Sequence, residues 1–277
     1  MLVVHSLAGS LNVLCSSNQS EAIITSNFTR VYIPGVSFDE DLEQSSPTLV
    51  VGVGTTAFSL AKGGWKLVLG KNANIESLIV VLGYCLEYCR QLHGQFMMHG
   101  TAALTSRGAV LFIGGASGIG KTSSAIELAK LEGTHILADD RVVVSSTGDV
   151  VSFNSQLHFN KQILETRYTV TDILMANEKL TTPVYRIVQP VTYPDSSLDV
   201  IEDPWDSNKS KFHLYEELSR SIRGVSKTIT DDYPLISLDT VVLANERMLL
   251  AALLSTGCTV STLYGSPETI ANFVSRV

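Results

Sequence analysis

A glycine-rich stretch at residues 114–122 restricts what this chain can fold into more than any other part of the sequence. From Gly115 it matches the pattern Gly-x-x-x-x-Gly-Lys-[Ser/Thr], in which backbone N–H groups cradle a phosphate. Residues 108–113, just before it, are apolar and rich in β-formers, and residues 123–131 have the spacing of an amphipathic helix. This order of strand, loop and helix predicts a nucleotide site. The alternative is a glycine turn between a strand and a helix, with no ligand.

The chemistry of such a loop assigns roles to its residues. Glycines let successive N–H groups turn toward a phosphate, and the start of the following helix adds the positive end of its dipole. Lys121 then serves as a point charge for the β- and γ-phosphates of ATP, and the Thr122 hydroxyl serves as a ligand for Mg²⁺. The residues predicted to bind the nucleotide are Gly115, Ala116, Ser117, Gly118, Ile119, Gly120, Lys121, Thr122 and Ser123.

A pair of carboxylates follows the next predicted strand. Residues 134–138 indicate a buried strand, and Asp139 and Asp140 come directly after it. One helix and one turn separate this strand from the loop, so we expect it to return beside the strand that precedes the loop. Next to a bound phosphate, one carboxylate can ligate Mg²⁺ while the other takes a proton from an attacking hydroxyl. The alternative is an Asp-Asp turn that leads into a strand at residues 142–144.

Composition excludes several classes of function. The 277 residues are 45% hydrophobic, which is enough for one large domain or two. The net charge of −7 and the lack of a basic cluster argue against a nucleic-acid partner. The longest apolar stretch, residues 78–86, is too short to span a bilayer, and the start of the chain lacks the positive segment of a signal peptide. We therefore expect a soluble, cytoplasmic protein with no membrane partner.

The four cysteines do not predict a disulfide framework. Cys85, Cys89 and His93 lie at i, i+4 and i+8 along one stripe of a helix predicted at residues 74–93, between an Asn74 cap and Gly94. Core packing is the favoured interpretation over a metal site, because no fourth ligand can be identified.

The pattern on either side of this helix predicts two parts. Residues 1–94 favour a β-rich module that ends in the helix, and residues 95–277 favour a nucleotide-binding domain. Strands of the first part are expected at residues 11–14, 22–25, 31–33, 48–53 and 65–69. Residues 96–104 predict a strand pair that places His99 on a neighbour of the strand before the loop. Alone, His99 would more often be a core histidine.

The second half of the chain offers weaker signals. Residues 190–210 predict a long loop, which is either a substrate-binding lid or a surface insertion. Arg220 and Arg223 fall at i and i+3 of a helix predicted at residues 213–223, and either can stabilise a transferring phosphoryl group or lie on a solvated face. Further elements are expected as a helix at residues 169–180, a strand at 238–243, a helix at 246–254 capped by Asn245, a strand at 258–263 and a last helix opened by Ser266 and Pro267.

The motifs of residues 95–145 together resemble the catalytic half of HPr kinase/phosphorylase, and the wider group of kinases with the phosphoenolpyruvate carboxykinase-type fold. The residues that carry the resemblance are His99-Gly100-Thr101-Ala102-Ala103, Gly108-Ala109-Val110-Leu111-Phe112-Ile113-Gly114, Gly118-Ile119-Gly120-Lys121-Thr122 and Ile136-Leu137-Ala138-Asp139-Asp140-Arg141-Val142. The resemblance implies an α/β P-loop kinase domain that transfers phosphate from ATP to a hydroxyl, often a serine of a protein or peptide. It implies that Asp139 lies near Mg²⁺, that Asp140 accepts the proton, and that His99 stands near the transferred phosphate.

The family also carries a glycine-rich segment beginning Glu-Ile-Arg-Gly, which has no equivalent at the expected distance here. The resemblance therefore implies the fold and phosphotransfer rather than HPr as the acceptor. Three alternatives stay open: a kinase for a metabolite alcohol or a free amino acid, a nucleotide-binding regulator without transfer, and a carboxykinase-like enzyme. The sequence leaves open whether the protein forms a homo-oligomer.

Overall fold

The chain folds into two compact units in a computed structural model, which describes residues 2–40, 45–70, 75–115, 118–131, 135–151, 181–193, 198–224, 228–230 and 233–276. The first unit comprises Met1–Phe96 and Ser219–Asn245, and the second comprises Met97–Leu218 and Glu246–Val277. The return of residues 219–245 to the first unit has no signal in the sequence patterns.

The first unit is built on a six-stranded mixed sheet. Its strands are β1 Leu2–Ser6, β2 Gly9–Cys15, β3 Val36–Asp39, β4 Thr48–Val53, β5 Ala57–Ala61 and β6 Gly64–Leu69, in the order β3-β1-β2-β4-β6-β5. The pairs β2–β4 and β4–β6 are parallel, and the other pairs are antiparallel. The helices are α1 Asn18–Ile24, α2 Asn27–Tyr32 and α3 Ile75–Leu92.

Helix α3 confirms the helix predicted at residues 74–93, although Asn74 lies outside the described residues. Its apolar side chains recur every three or four positions, so Leu78, Leu82 and Leu86 all fall on a buried face within the core of the first unit. Burying each such side chain contributes about 1.5–3 kcal/mol. The helix ends where Gly94 turns to a φ of +68° and its N–H donates to the Gln91 carbonyl at 3.1 Å.

The second unit is built on a larger mixed sheet. The remaining strands of the chain are β7 Gln95–Thr105, β8 Gly108–Ile113, β9 His135–Ala138, β10 Arg141–Ser145, β11 Asp149–Val151, β12 Thr181–Thr192, β13 Ile201–Pro204, the short first-unit pair β14 Thr228–Thr230 and β15 Tyr233–Pro234, and β16 Thr259–Gly265. The remaining helices are α4 Lys121–Ala129, α5 Ser207–Ser219, α6 Val241–Gly257 and α7 Pro267–Arg276. The large sheet has the order β11-β10-β7-β8-β12-β16-β13, with β9 paired to β7. The chain is thus an α/β protein.

Strand direction brings several strand ends to one edge of this sheet. Strands β8, β12 and β16 are parallel to one another. Strand β7 is antiparallel to both β8 and β9, so β9 runs in the same direction as β8. The carboxyl ends of β8, β9 and β12 therefore lie at the same edge, which is where ligands bind in many α/β sheets.

The expectation that β9 returns beside β8 is wrong, because β7 lies between them. Ala102 of β7 pairs with Leu111 of β8 on one side and with Ala138 of β9 on the other. The related prediction, that His99 lies on a strand next to β8, is confirmed. Residues 96–104 form part of one continuous strand rather than a strand pair.

Residues 22–25 and 31–33 were expected as strands, and that prediction is wrong for both. Residues 22–24 belong to α1, whose N-cap Ser17 accepts a hydrogen bond from the Ser20 N–H at 3.2 Å. Residues 31 and 32 belong to α2. The Ser17 cap starts α1, and this local hydrogen bonding overrides the β-propensity of the isoleucines in that helix.

The prediction of a loop at residues 190–210 is wrong for residues 190–192, 201–204 and 207–210, which lie in β12, β13 and α5, whereas residues 194–197 lie outside the described residues. Pro190 lies in β12, beyond the point where β12 pairs with β8, so its missing N–H disrupts no bond to that strand. Pro204 closes β13, which lies at the end of the sheet order, and α5 follows. Prolines at such positions do not exclude strands, although they suggest a loop in the sequence.

Two further boundaries differ near the C-terminus. Residues 238–243 were expected as a strand and Asn245 as a helix cap, but α6 already begins at Val241 and Thr240 Oγ1 accepts from the Leu243 N–H at 3.2 Å. Helix α5 ends at Ser219, so Arg220 and Arg223 follow it instead of lying on its face. The last helix is confirmed, since Ser266 Oγ accepts from the Thr269 N–H at 3.1 Å and Pro267 opens α7. The helix predicted at residues 169–180 lies outside the described residues.

Of the helices in the described part of the chain, none combines the length and the apolar character that crossing a membrane requires.

Candidate functional site

The glycine-rich loop joins β8 to α4 at the edge where the strand ends meet. Gly114 has a φ of +134° and Gly120 a φ of +105°, which L side chains rarely adopt. Space is restricted as well, since a Cβ on Gly120 would lie 2.2 Å from Thr192 Cγ2 and one on Gly114 would lie 2.4 Å from Ile119 Cδ1. Both positions therefore require glycine. Of the predicted nucleotide-binding residues, Ala116 and Ser117 lie outside the described residues.

Thr192 anchors the loop to the neighbouring strand. It is the last residue of β12, and both its backbone N–H and its hydroxyl donate to the Ile119 carbonyl at 3.2 Å. Sequence reasoning missed this residue because it fell within the loop predicted at residues 190–210. A polar residue at the end of a strand parallel to β8 is the signal that would have identified it.

Lys121 begins α4 and points back across the loop. Its side chain is 8% exposed, and its Nζ donates to the Gly114 carbonyl at 2.9 Å. The ammonium group is thus held near the backbone of the loop, at the start of the helix. A phosphate cradled by the loop N–H groups would lie within reach of both the ammonium charge and the helix dipole.

Asp139 lies at the end of β9 and accepts two hydroxyl hydrogen bonds. Its Oδ1 accepts from Thr122 Oγ1 at 2.8 Å and from Thr101 Oγ1 at 2.6 Å. Asp139 is 2% exposed and Thr101 is fully buried. The predicted metal ligands Thr122 and Asp139 are therefore in direct contact. Carboxylate and hydroxyl oxygens are the donor type that Mg²⁺ prefers, so these residues fit that ion.

Thr101 is a site residue that sequence reasoning quoted only as part of a motif. It stands two positions after His99 on β7, and residues at that spacing lie on the same face of a strand. That alternation was the available signal. The same strand therefore presents His99 near Asp140 and Thr101 near Asp139, on one side of the sheet.

Asp140 has a different environment from its neighbour. Its φ of +64° is unusual for a residue other than glycine, and its carbonyl accepts hydrogen bonds from the Gly100 N–H at 3.3 Å and from His99 Nδ1 at 3.0 Å. Because a carbonyl can only accept, the His99 proton resides on Nδ1. The Asp140 carboxylate lies 3.3 Å from His99 Nδ1 and 3.9 Å from Arg141 Nε.

Exposure separates the two aspartates. The Asp140 side chain is 32% exposed and that of His99 is 33% exposed, whereas Asp139 is buried. A buried carboxylate that accepts two hydroxyls is suited to positioning and to ligating a cation. A carboxylate open to solvent at the same sheet edge is suited to receiving a proton from an incoming molecule.

Cys85 and Cys89 lie in the core of the first unit, as the packing interpretation predicts. Burial raises the pKa of both thiols, that of Cys89 to about 12. Within the described part of the chain, no group of three or more histidine, cysteine, aspartate or glutamate side chains is arranged to hold a metal ion. Arg220 and Arg223 belong to the first unit.

A scan against models of known protein families finds no match to this chain, and a search of curated protein sequences finds none either. The resemblance of residues 95–145 to HPr kinase/phosphorylase therefore stays a prediction from the motifs.

Proposed function

We propose that this protein is an ATP-dependent kinase of the HPr kinase/phosphoenolpyruvate carboxykinase type, which transfers the γ-phosphoryl group to a hydroxyl, in first place a serine of a protein or peptide. The observation that carries the proposal is the contact of Thr122 with Asp139 at 2.8 Å. It joins the end of the phosphate loop to the carboxylate pair, as phosphoryl transfer requires.

The loop would bind the phosphates of ATP through its backbone. Gly118 and Gly120 both have positive φ values, and Gly118 is open to solvent, which leaves space for a phosphate against the N–H groups. Lys121 would exchange its bond to the Gly114 carbonyl for a phosphate oxygen, at little cost because the side chain is already ordered.

Thr122 and Asp139 would hold the Mg²⁺ that accompanies the nucleotide. When bound, the ion neutralises charge on the β- and γ-phosphates. Thr101 would keep the Asp139 carboxylate oriented, since its buried hydroxyl donates to the same oxygen that Thr122 contacts. This support resembles the hydrogen bonds that commonly orient metal-ligating carboxylates.

Asp140 would act as the base. The acceptor hydroxyl gives its proton to the Asp140 carboxylate while its oxygen forms a bond to the γ-phosphorus. The bond from that phosphorus to the bridging β-phosphate oxygen breaks, and ADP leaves with the electron pair. His99, whose Nδ1 lies 3.3 Å from the carboxylate, would hold Asp140 in place.

Exposure favours a peptide acceptor over a small metabolite. A small alcohol is best held in a closed pocket, whereas the Asp140 and His99 side chains are each about one-third open to solvent. A serine on a polypeptide can reach such an open edge without being enclosed. This comparison ranks the metabolite kinase second.

The test is transfer of label from γ-labelled ATP with Mg²⁺, with a protein extract and a desalted pool of hydroxyl metabolites as separate acceptors. We expect label on a polypeptide, and its loss in Asp140→Asn with ATP binding retained. The matched control is Asp203→Asn. Asp203 is a half-exposed aspartate on β13 that forms an ion pair with Lys209 at 3.1 Å and is not part of the glycine-rich loop.

Three outcomes would count against parts of the proposal. Full transfer by Asp140→Asn rules out that residue as the base. Label only in the metabolite pool replaces the peptide acceptor with a small molecule. Bound ATP without transfer to either pool supports a nucleotide-binding regulator instead of a kinase.

A further inference from the structure

The first unit contains a cavity of about 750 Å³ that the proposed kinase chemistry does not use. It lies at the tip of the β5–β6 hairpin, and its lining includes Leu60, Lys62, Trp65, Tyr88, Ser237 and Asp239. All of its lining residues belong to the first unit. Its volume falls in the range of ligand pockets, and its mixture of aromatic, hydroxyl and charged groups suits an amphipathic ligand.

Leu60 shows that the hydrophobic core is incomplete at this cavity. Residues two apart on a strand face the same side, so Leu60 shares a face with Phe58, which is 2% exposed and packs near Tyr84. Its cross-strand partner is Trp65, which is 4% exposed. Leu60 nevertheless is 73% exposed. An apolar side chain on the core face of the sheet is thus left open where the cavity begins.

The walls of the cavity are fixed by hydrogen bonds. The Tyr84 hydroxyl donates to the Ile222 carbonyl at 2.5 Å and accepts from the Leu238 N–H at 3.1 Å, which holds residues 237–240 in place. Ser46, another residue of the lining, is also held, because Asn12 Nδ2 donates to its carbonyl at 3.0 Å. The cavity is therefore preformed, which lowers the entropic cost of filling it.

Strand β5 supplies a second, independent observation. It stands at one end of the sheet order, with β6 as its partner among the described strands. Its five residues include no lysine and no proline, the usual protections of an exposed edge. The unpaired N–H and C=O groups of such an edge match the hydrogen-bonding pattern of another extended backbone.

We propose that the edge of β5 that no described strand covers and the adjoining cavity bind an extended peptide segment. The segment adds a strand to β5 and inserts an apolar side chain against Leu60 and Trp65. Lys62 follows β5 directly and makes no ion pair among the described residues, so it attracts an acidic group on the same peptide. The peptide site stands on its own geometry; that the segment belongs to the phosphate acceptor rests on the proposed kinase function.

The test begins with a displayed library of random peptides of about ten residues, selected on the full chain without ATP. The selected sequences are synthesised, and their affinities are measured for three variants. Leu60→Lys places a charge at the cavity mouth, and Ser237→Trp fills the cavity from an exposed position in its lining. Val53→Lys is the control, because Val53 is a comparably exposed apolar residue, at 61%, on β4 outside the lining.

We expect selected peptides with an apolar residue near an acidic one, and at least about a tenfold loss of affinity in Leu60→Lys and Ser237→Trp. The Val53→Lys variant should bind as the wild type does. Peptides that bind all variants equally, or no enrichment at all, would overturn the proposal. So would a wild-type dimer that Leu60→Lys dissociates in sedimentation, because the edge would then pair with a second copy.

The proposed kinase function and the proposed peptide site can be refuted independently of each other. Lys121→Ala changes the phosphate loop and should leave peptide affinity unchanged. If peptides bind but no phosphate is transferred, the proposed kinase function alone is refuted. If phosphate is transferred but peptide affinity is the same in the cavity variants as in the wild type, the proposed peptide site alone is refuted.

Discussion

The Thr101 hydroxyl lies 2.6 Å from the Asp139 carboxylate, although 38 residues separate the two along the chain. The contact joins β7 to the end of β9 within the buried part of the candidate site. Thr101→Val keeps the shape of the side chain and removes the donor. We expect the free energy of unfolding to fall by about 1.5–3 kcal/mol, measured by urea denaturation, because a buried charged acceptor loses a partner. Thr147→Val, at an exposed turn, is the control, and an equal loss there would contradict this interpretation.

The same contact leads to a prediction about magnesium. Asp139→Asn keeps the size of the side chain but removes its charge, so we expect a Mg²⁺ requirement for transfer at least about tenfold higher. Titration of activity with Mg²⁺ at saturating ATP measures it. An unchanged magnesium requirement would show that Asp139 supports Thr122 without ligating the ion.

Two glycines of the loop should respond differently to alanine. At Gly120 alanine would have to adopt a φ of +105°, and its Cβ would also overlap Thr192. At Gly118 the φ is also positive, but the Cβ would meet open space. We expect Gly118→Ala to cost about 1–2 kcal/mol, the penalty for the backbone conformation alone. Gly120→Ala should cost more and should also weaken ATP binding. Nucleotide affinity and thermal unfolding compare the two, and equal effects would mean that the loop relaxes around Thr192.

Tyr84 should stabilise the first unit through its hydroxyl. That oxygen contacts the carbonyls of Ile222 and Ile236 and the N–H of Leu238. We expect Tyr84→Phe to lower the free energy of unfolding by about 1–3 kcal/mol, because buried backbone groups lose their partner. Tyr88→Phe is the control, since the Tyr88 ring packs against Trp65 at 5.3 Å and its hydroxyl has no partner among the described residues. Equal unfolding curves for both variants would refute the role of the hydroxyl.

The thiols of Cys89 and Cys258, whose pKa values are raised in the folded protein, lead us to expect a loss of stability at alkaline pH. Burial raises the pKa of Cys89 from 9.0 to about 12 and that of Cys258 to about 11. A raised pKa in the folded state gives a stabilisation that is complete below about pH 9 and is lost as the pH rises toward the folded values. Cys89→Ala should therefore lose less stability than the wild type between about pH 8 and pH 10.5, measured by urea unfolding. Parallel losses in both proteins would rule out this thiol as a cause.

Local patterns predicted the centre of the candidate site well. The strand before Gly114, the helix after Gly120 and the strand before Asp139 are each encoded by a few adjacent residues, so short-range physics is enough to place them. The different burial of Asp139 and Asp140 has no signal in the local pattern, because it depends on which distant side chains pack over each carboxylate. One residue lies under the hydroxyls of Thr101 and Thr122 and the other does not.

Long-range pairing explains most of the misses. Strand β9 lies beyond β7 because an antiparallel neighbour already occupies that side of β8, and no local pattern encodes such a competition. Val241 and Val242 have β-propensity, but the Thr240 cap starts a helix through them. The Thr192 hydroxyl donates to the Ile119 carbonyl although the two residues are 73 positions apart, and local sequence patterns do not predict contacts at such a separation.

The first unit is assembled from two separate segments of the chain, which affects when it can fold during synthesis. Tyr84 finds its partner Leu238 only 154 residues later, and Ile222, Leu235 and Leu243 belong to the same hydrophobic core as α3. A ribosome releases the N-terminal strands long before it has synthesised those residues. The first unit therefore begins to emerge before the second, yet it cannot complete its core until residues 219–245 are made. Meanwhile the chain between its two parts is translated and can start to fold.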